Sequence, residues 1–241
     1  MAYTRWNESG HYIFGGTDYV DFSGTIIPDD EVDVFIHKLY GYQSDGDDEF
    51  WERVHHGGRV IDNFKKGIRI KKLYKYSGDL ETQTAAIAAL ADEIWHEHFT
   101  PIIGTAQVDY MLAKFQSAEQ IYNDIKNNDY YYFTAKDTDN DKLIGYCAVQ
   151  PQKDFLLLSK LYIHHDFRGK GIARSFIDEV IALCKYEYDF YKIGKIHLTV
   201  NKHNDGAIAV YQKIGFKTVD SVETDIGGGF VMDDFVMELT I

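Results

Sequence analysis

The sequence predicts an α/β protein, a main domain of strands and helices preceded by a small α+β appendage. Three observations predict it. From residue 67 onward the pattern reads β-α-α-β-β-β-α-β-α-β-β, an alternation that builds a sheet covered on both faces. The apolar run Phe155–Ile163 passes through a glycine-bearing turn straight into an amphipathic helix, which is how parallel strands are connected. The composition also changes near residue 66: residues 1–66 carry 13 acidic and 6 basic side chains, so acidity is densest in the first quarter.

The appendage is expected to span residues 1–66. His11-Tyr12-Ile13-Phe14 and Tyr19-Val20-Asp21-Phe22 flank Gly15-Gly16-Thr17-Asp18, which reads as a hairpin. Pro28 opens a helix with Val32, Phe35, Ile36 and Leu39 at helical spacing. A polar loop at 41–48 leads to a second helical stretch from Glu49 to Lys66, weakened by Gly57-Gly58. His55 and His56 are neighbours on that stretch and point apart, so they make a poor metal pair.

The main domain is expected to span 67–241. Ile68, Ile70 and Leu73 alternate with basic residues as a strand. A helix follows from about Leu80 to Phe99, ended by Pro101, and another covers about Ala106 to Asn127. Tyr130–Ala135 and Lys142–Val149 are strands joined by a polar hairpin turn, and Phe155–Ile163 is a third. The helix from about Gly171 to Tyr188 has Ile172, Phe176, Val180 and Leu183 on one face. Strand Lys195–Val200, helix Asp205–Ile214 and strands Phe216–Val222 and Phe230–Leu239 complete the chain.

Composition narrows the function. With 45% hydrophobic and 26% charged residues the chain is a folded globular protein rather than a disordered tail. No apolar run reaches the roughly 20 residues a membrane helix needs, and MAYTRWNESG is not a secretory signal. Cys147 and Cys184 are too few for a disulfide framework and suit a reducing cytoplasm; both sit in apolar patterns as core thiols. A net charge of −13 argues against gripping nucleic acid or an anionic membrane and favours a cationic partner, or serves solubility alone.

The stretch 159–174, SKLYIHHDFRGKGIAR, carries the chemistry. Small residues at a strand-to-helix turn let backbone N–H groups converge on an anion; the helix N-terminus, Arg168 and Lys170 add positive charge. The spacing fails the P-loop, because Gly171 is followed by Ile172, and fails the dinucleotide fingerprint, because its last position is Arg174. On these residues alone the alternatives are a phosphate cradle and a basic turn that merely starts a helix.

Arg168-x-x-Gly171-x-Ala173 after an apolar strand resembles the acetyl-CoA signature of the GNAT N-acetyltransferase superfamily. A second motif, HLTVNKHNDGAIAVYQKIGFKTV at 197–219, is similar to the family's next conserved stretch, with Asn204, Ala207, Tyr211, Gly215 and Phe216 in the expected positions. Within the superfamily, LYIHHDFRGKGIA and GGGFVMDDFVMEL look closest to spermidine/spermine-type bacterial enzymes; residues 1–66 resemble nothing nameable.

The resemblance implies the GNAT fold, a central mixed, twisted sheet flanked by helices with two splayed parallel strands, and acetyl transfer from acetyl-CoA directly to a primary amine, a small polyamine being the first choice. It implies that Leu161 and Ile163 hold the pantetheine and acetyl group, that Arg168, Gly169, Lys170, Gly171, Ile172 and Ala173 hold the pyrophosphate, and that Asn204 contacts the pantetheine arm. Tyr211, one turn beyond Ala207, would be the general acid; packing against Phe216 is its plainer role. Many relatives carry a glutamate base where Ser159 stands, so Ser159 could only position a water. Asp233 and Asp234 could serve as base or hold a cationic substrate, and Glu97 and His98 lie where the substrate-side helix ends. No metal is expected, and His96-x-His98 is badly spaced for one. The expected partners are acetyl-CoA and an amine, without nucleic acid or membrane and with room for a homodimer, in the cytoplasm. The alternatives are a protein N-terminal or lysine acetyltransferase whose target residues 1–66 help choose, and a non-catalytic acyl-CoA-binding module.

Overall fold

The computed structural model describes residues 67–73, 75–186 and 193–241, together with four short strands ahead of them. The chain divides into two compact units, Met1–Ile61 and Asp62–Ile241. In the first, β1 (Thr4–Trp6) pairs antiparallel with β2 (Tyr12–Phe14), and β3 (Tyr19–Val20) with β4 (Ile26–Ile27). Among the described residues β2 and β3, the two arms of the expected hairpin, belong to separate two-stranded sheets. In the sequence, Asn7-Glu8-Ser9-Gly10 lies between β1 and β2 and Ser23-Gly24 between β3 and β4, residue types that favour turns as much as Gly15-Gly16-Thr17-Asp18 does. The helices and loop expected between Pro28 and Lys66, and His55-His56, lie outside the described residues.

The second unit is built on a seven-stranded sheet: β5 (Ile68–Lys72), β6 (Tyr131–Asp137), β7 (Leu143–Pro151), β8 (Leu156–Ile163), β9 (Lys195–Asn201), β10 (Lys217–Gly227) and β11 (Phe230–Thr240). The spatial order is β10-β11-β9-β8-β7-β6-β5, antiparallel except for the β8–β9 pair, so the sheet is mixed as expected. Six helices flank it among the described residues: α1 (Leu80–His98), α2 (Thr100–Ile103), α3 (Thr105–Phe115), α4 (Ala118–Asn127), α5 (Ile172–Tyr186) and α6 (Asp205–Ile214).

Each face of the sheet has its own core. On one, Phe176, Ile177, Val180 and Leu183 of α5 pack against Cys147, Leu156, Leu158 and Ile196. On the other, Leu90, Ile94 and Trp95 of α1 and Ile121 and Ile125 of α4 pack against Tyr132, Tyr146 and Ala148. Alternation along the strands puts one residue set on each face. Cys147 and Cys184 are buried thiols, as read from the sequence.

Two element boundaries differ from expectation. The helix expected over 106–127 is two helices, broken at Gln116 and Ser117. Ser117 has extended backbone angles, and its hydroxyl accepts the Gln120 N–H at 3.2 Å. Ser117-x-x-Gln120 is a capping-box spacing, which starts a helix rather than continuing one. Pro101 does not end a helix; it occupies the first turn of α2, where its missing N–H costs nothing.

Candidate active site

β8 and β9 run parallel for only two registered pairs, Leu156 with Ile196 and Leu157 with His197, and then part. A bulge in β8 marks the separation. Lys160 faces Ala148 and Leu158 faces Val149 on β7, which leaves Ser159 as the extra residue. The bulge switches parity: Leu156 and Leu158 point to the α5 core, and beyond it Leu161 and Ile163 do, while Lys160 and Tyr162 turn to the α1 side.

The parted strands open onto a cavity of about 870 Å³. Its lining includes Leu161 and Ile163 on β8, Gly169, Gly171, Ile172 and Ala173 at the head of α5, and Asn204, Ala207 and Tyr211 on α6. Ser159, Arg168 and Asp234 also line it. Lys170 and Asp233 do not. The Lys170 ammonium stands 4.3 Å from the Phe167 ring, and Asp233 forms an ion pair with Lys202. Adjacent strand residues point to opposite faces, so only Asp234 of the two enters the cavity.

The cradle is open. Gly169 (φ +75°) and Gly171 (φ +88°) have left-handed backbones, and a Cβ on either would meet no atom within 4 Å. The helix that follows starts with unpaired N–H groups aimed at that space. Arg168 is braced by its Nε donating to the Ile163 carbonyl at 3.0 Å, with its Nη2 3.4 Å from Glu97. α6 leaves an apolar wall toward the cavity, where Val210 is 44% exposed, a surface suited to an uncharged thioester arm. Asn204 is buried and caps α6, its Oδ1 accepting the Ala207 N–H at 3.3 Å and the His98 Nε2–H at 3.2 Å. The residues present therefore fit a phosphate-bearing, thioester-carrying ligand such as acetyl-CoA.

Tyr211 is half-buried and meets Phe216 edge-on at 5.6 Å. Burial, helped by the nearby Cys147 thiol, pushes its phenol above the ordinary value, so the hydroxyl keeps its proton well into alkali. Asp234 is 6% exposed; burial raises its carboxyl, a Thr199 hydrogen bond opposes that, and Asp233 adds to it. Tyr162 lies between them electrostatically. It is raised first by burial and then by Tyr211 and Asp234.

On the α1 side of the cavity the sequence pointed only to Glu97 and His98; His98 lines the cavity, Glu97 does not, and the rest of that wall was missed. Trp95 and Phe99 stack near Tyr162, with ring centroids 5.4 and 6.1 Å from it, and form an aromatic wall. Beyond it Lys160 and Asp124, each 6% exposed, pair at 3.2 Å. Asp124 also accepts from Gln120 at 2.7 Å, Asn128 at 3.3 Å and the Tyr132 hydroxyl at 3.1 Å. Desolvation lowers Lys160 and Asp124 counters it. The Tyr130 phenol is raised by burial and opposed by a hydrogen bond with Ser159. A lysine inside the apolar run LLLSKLYI was the available signal, since an unpaired charge would not sit there. Asp124→Asn keeps the shape but uncouples the ion pair. It is expected to cost about 1.5–3 kcal/mol in urea unfolding, the scale of a charged hydrogen bond.

The hairpin of β10 and β11 closes this side. Tyr110 and Lys114 of α3 donate to the Ile226 carbonyl at 2.7 and 2.6 Å, and Gln107 donates to that of Val231 at 3.0 Å. Gly227 and Gly228 turn the hairpin at positive φ, and Cβ atoms there would stand 2.7 and 2.9 Å from Tyr110.

Comparison with known proteins agrees with this geometry. The family described as Acetyltransferase (GNAT) domain matches residues 100–237, more than half of the chain. A histone acetyltransferase of Arabidopsis thaliana is 32% identical over 88 residues, 36% of this chain and 34% of its own length. An acetyltransferase of Pectobacterium atrosepticum is 39% identical over 64 residues, 26% of this chain and 41% of its own. The match thus spans well under half of either curated relative. The PaiA N-acetyltransferase of Thermoplasma acidophilum, solved with coenzyme A, superposes with a TM-score of 0.58 at 25% identity, covering 72% of this chain and 99% of that one. No described helix is long and apolar enough to cross a membrane.

Proposed function

The chain belongs to the GNAT acetyltransferase family, and from that membership we propose that it transfers the acetyl group of acetyl-CoA directly to a primary amine, with a small polyamine as acceptor. The observation that carries the reading is a single cavity reached at once by the Gly169–Gly171 cradle, the parted ends of β8 and β9, Tyr211 and a buried Asp234. Bound acetyl-CoA supplies an activated acyl carbon and a thiolate leaving group. Backbone N–H groups from Gly169 to Ala173 hold its phosphates, backbone groups of Leu161 and Ile163 hold its arm, and Asn204 contacts the pantetheine.

The amine has to arrive neutral. An alkyl amine with a lysine-like pKa gives up its proton at pH 7 at a cost of about 4–5 kcal/mol, so the site must accept a proton at the nucleophile's nitrogen. Ser159, held near Tyr130, positions a water for that transfer. Tyr211 donates to the sulfur as the C–N bond forms and the C–S bond breaks, and the proton shed by the newly acylated nitrogen passes through water to make good the one that sulfur takes up. Trp95, Phe99 and Tyr162 face a cationic acceptor with ring surfaces, and Asp234 with a carboxylate.

Asp233 and Asp234 separate the polyamine reading from a generic amine acceptor. Asp234→Asn is expected to raise KM for spermidine at least about tenfold, roughly 1.4 kcal/mol. Asp233→Asn is expected to match wild type. Equal behaviour of both variants would leave only a generic amine. The same substitution has a signed effect on stability. A carboxyl raised by folding contributes stability below its ordinary value of 3.8, and that contribution is lost as pH rises through the raised value. At pH 7 the ionised Asp234 therefore weighs against the fold. Asp234→Asn should melt higher than wild type at pH 7, with the difference closing toward pH 3.8.

Release of free CoA thiol, followed across spermidine, spermine, simple diamines and peptides with free N-termini, tests the whole reading. Highest kcat/KM on a polyamine is expected. Turnover of peptides alone would replace it with a protein acetyltransferase, and no turnover with intact acetyl-CoA binding would leave a binding module.

A further inference from the structure

The 3₁₀ turn His165–Phe167, just ahead of the cradle, carries a second cluster that the transfer chemistry does not use. Among the described residues, ligand atoms of His164, His165 and Asp166 lie within 4.8 Å of one another. Three further observations make this more than a crowd of polar side chains. The Asp166 N–H donates to His164 Nδ1 at 3.3 Å, which leaves that nitrogen unprotonated and puts the proton on Nε2, where Glu93 accepts at 2.8 Å. His165 has two carboxylates at ion-pair distance: Nε2 lies 3.0 Å from an Asp166 oxygen and Nδ1 3.5 Å from Glu97. Glu93 and Glu97 are one turn apart on α1, so one helix face supplies both carboxylates.

We propose that His164, His165 and Asp166 bind one divalent transition-metal ion such as Zn²⁺, with Glu93 and Glu97 orienting the two imidazoles. Metal-bound histidines commonly give their other ring nitrogen to a carboxylate; His164 does so to Glu93 at 2.8 Å, and Glu97 stands 3.5 Å from His165 Nδ1. Asp166 oxygens stand 3.8 Å from His164 Nδ1 and 3.0 Å from His165 Nε2. Tetrahedral ligands at Zn–N and Zn–O distances near 2.0–2.1 Å are separated by about 3.3 Å. The two imidazoles stack with centroids 4.5 Å apart and planes 21° apart, so their in-plane lone pairs run side by side, and the exposed His165 ring has to turn out of the stack to meet an ion held at His164 Nδ1. The ion would replace the Asp166 N–H at His164 Nδ1, and that N–H would turn to water. Nitrogen-rich ligation selects Zn²⁺, Ni²⁺ or Co²⁺ over Mg²⁺ and Ca²⁺. Three carboxylates surround the site against one guanidinium, Arg168, which suits a dication. His164 is 3% exposed and fixed, while His165 and Asp166 are open to solvent for entry.

The experiment titrates Zn²⁺ calorimetrically into the full chain freed of metal by chelator, in parallel with His165→Ala/Asp166→Ala and Glu93→Gln. These three side chains are exposed, and circular dichroism checks that the variants remain folded. Wild type should bind one Zn²⁺ more than the double variant. Glu93→Gln should weaken that site by about 10- to 100-fold, the usual effect of removing an orienting carboxylate. Excess Mg²⁺ should not displace the ion. A double variant that keeps every wild-type site, or a Glu93→Gln variant of unchanged affinity, overturns the proposal.

Discussion

Gly171→Glu is expected to abolish acetyl-CoA binding, with affinity falling at least about 1,000-fold, or roughly 4 kcal/mol. Two effects combine. The wild-type backbone sits at φ +88°, which a residue with a Cβ adopts at a cost of about 1–2 kcal/mol. The larger effect is placement. A Cβ at Gly171 meets nothing within 4 Å, so the side chain grows into the open cradle and brings a carboxylate where the pyrophosphate is to bind. Gly171→Ala separates the two effects, because it keeps the strain and adds only a methyl group. It should melt lower while losing no more than about tenfold in affinity. Because nothing is displaced and total stability is typically about 5–15 kcal/mol, the Glu variant should remain folded. Calorimetric titration with acetyl-CoA and a melting curve on each variant check both parts. Unchanged affinity in Gly171→Glu would remove the phosphate assignment from this turn.

Most of the fold was legible because its signals are local. The α5 stripe of Ile172, Phe176, Val180 and Leu183 is a helix with one buried face, and that is what the structure has. α6 runs from Asp205 to Ile214 as read, since Asn204 and Gly215 are a capping pair visible in sequence. The missed break at Ser117 was also local. Its capping-box partner Gln120 stands in the sequence, but the apolar pattern on both sides continued through it. Strand pairing in the first unit was hard to read for a different reason. Strands of two and three residues carry too few alternations to say which of several turn-rich segments will pair them.

The site divides along the same line. The cradle and the α6 residues belong to contiguous motifs. The α1 side of the cavity is assembled from residues far apart in the chain, such as Asp124 with Lys160 and Trp95 with Tyr162. Spacing cannot reveal those contacts. The bulge at Ser159 is an intermediate case. Leu156 and Leu158 share one parity and Leu161 and Ile163 the other, so the slip is written in the sequence. It reads as a uniformly apolar strand unless the parity is followed. The same slip turns Lys160 toward Asp124 and leaves Ser159 as the unpaired residue at the mouth of the splay.

Tyr211→Phe is expected to lower kcat by roughly 10- to 1,000-fold, about 1.4–4 kcal/mol of barrier, with a modest change in acetyl-CoA affinity. The substitution is clean. The ring's edge-on contact with Phe216 at 5.6 Å survives, so packing and the position of α6 are retained while one hydroxyl is lost. That hydroxyl is well matched to the task. Burial keeps it protonated at any working pH, so it stands ready as a hydrogen-bond donor as charge develops on sulfur. A phenol's ordinary value of about 10 lies above a thiol's of about 8.5, so the hydroxyl stabilises the departing thiolate and the proton finally held by sulfur is made good through water. Because the phenol's value is raised, its ionisation should not shape the pH–rate profile below about pH 10. The variant should therefore lose rate uniformly across pH 6–9, and any acid limb should keep its midpoint. A limb that moves would assign Tyr211 to the nucleophile's proton instead. Wild-type turnover by Tyr211→Phe would mean that water alone serves the thiolate and that the tyrosine serves only to pack α6 against Phe216.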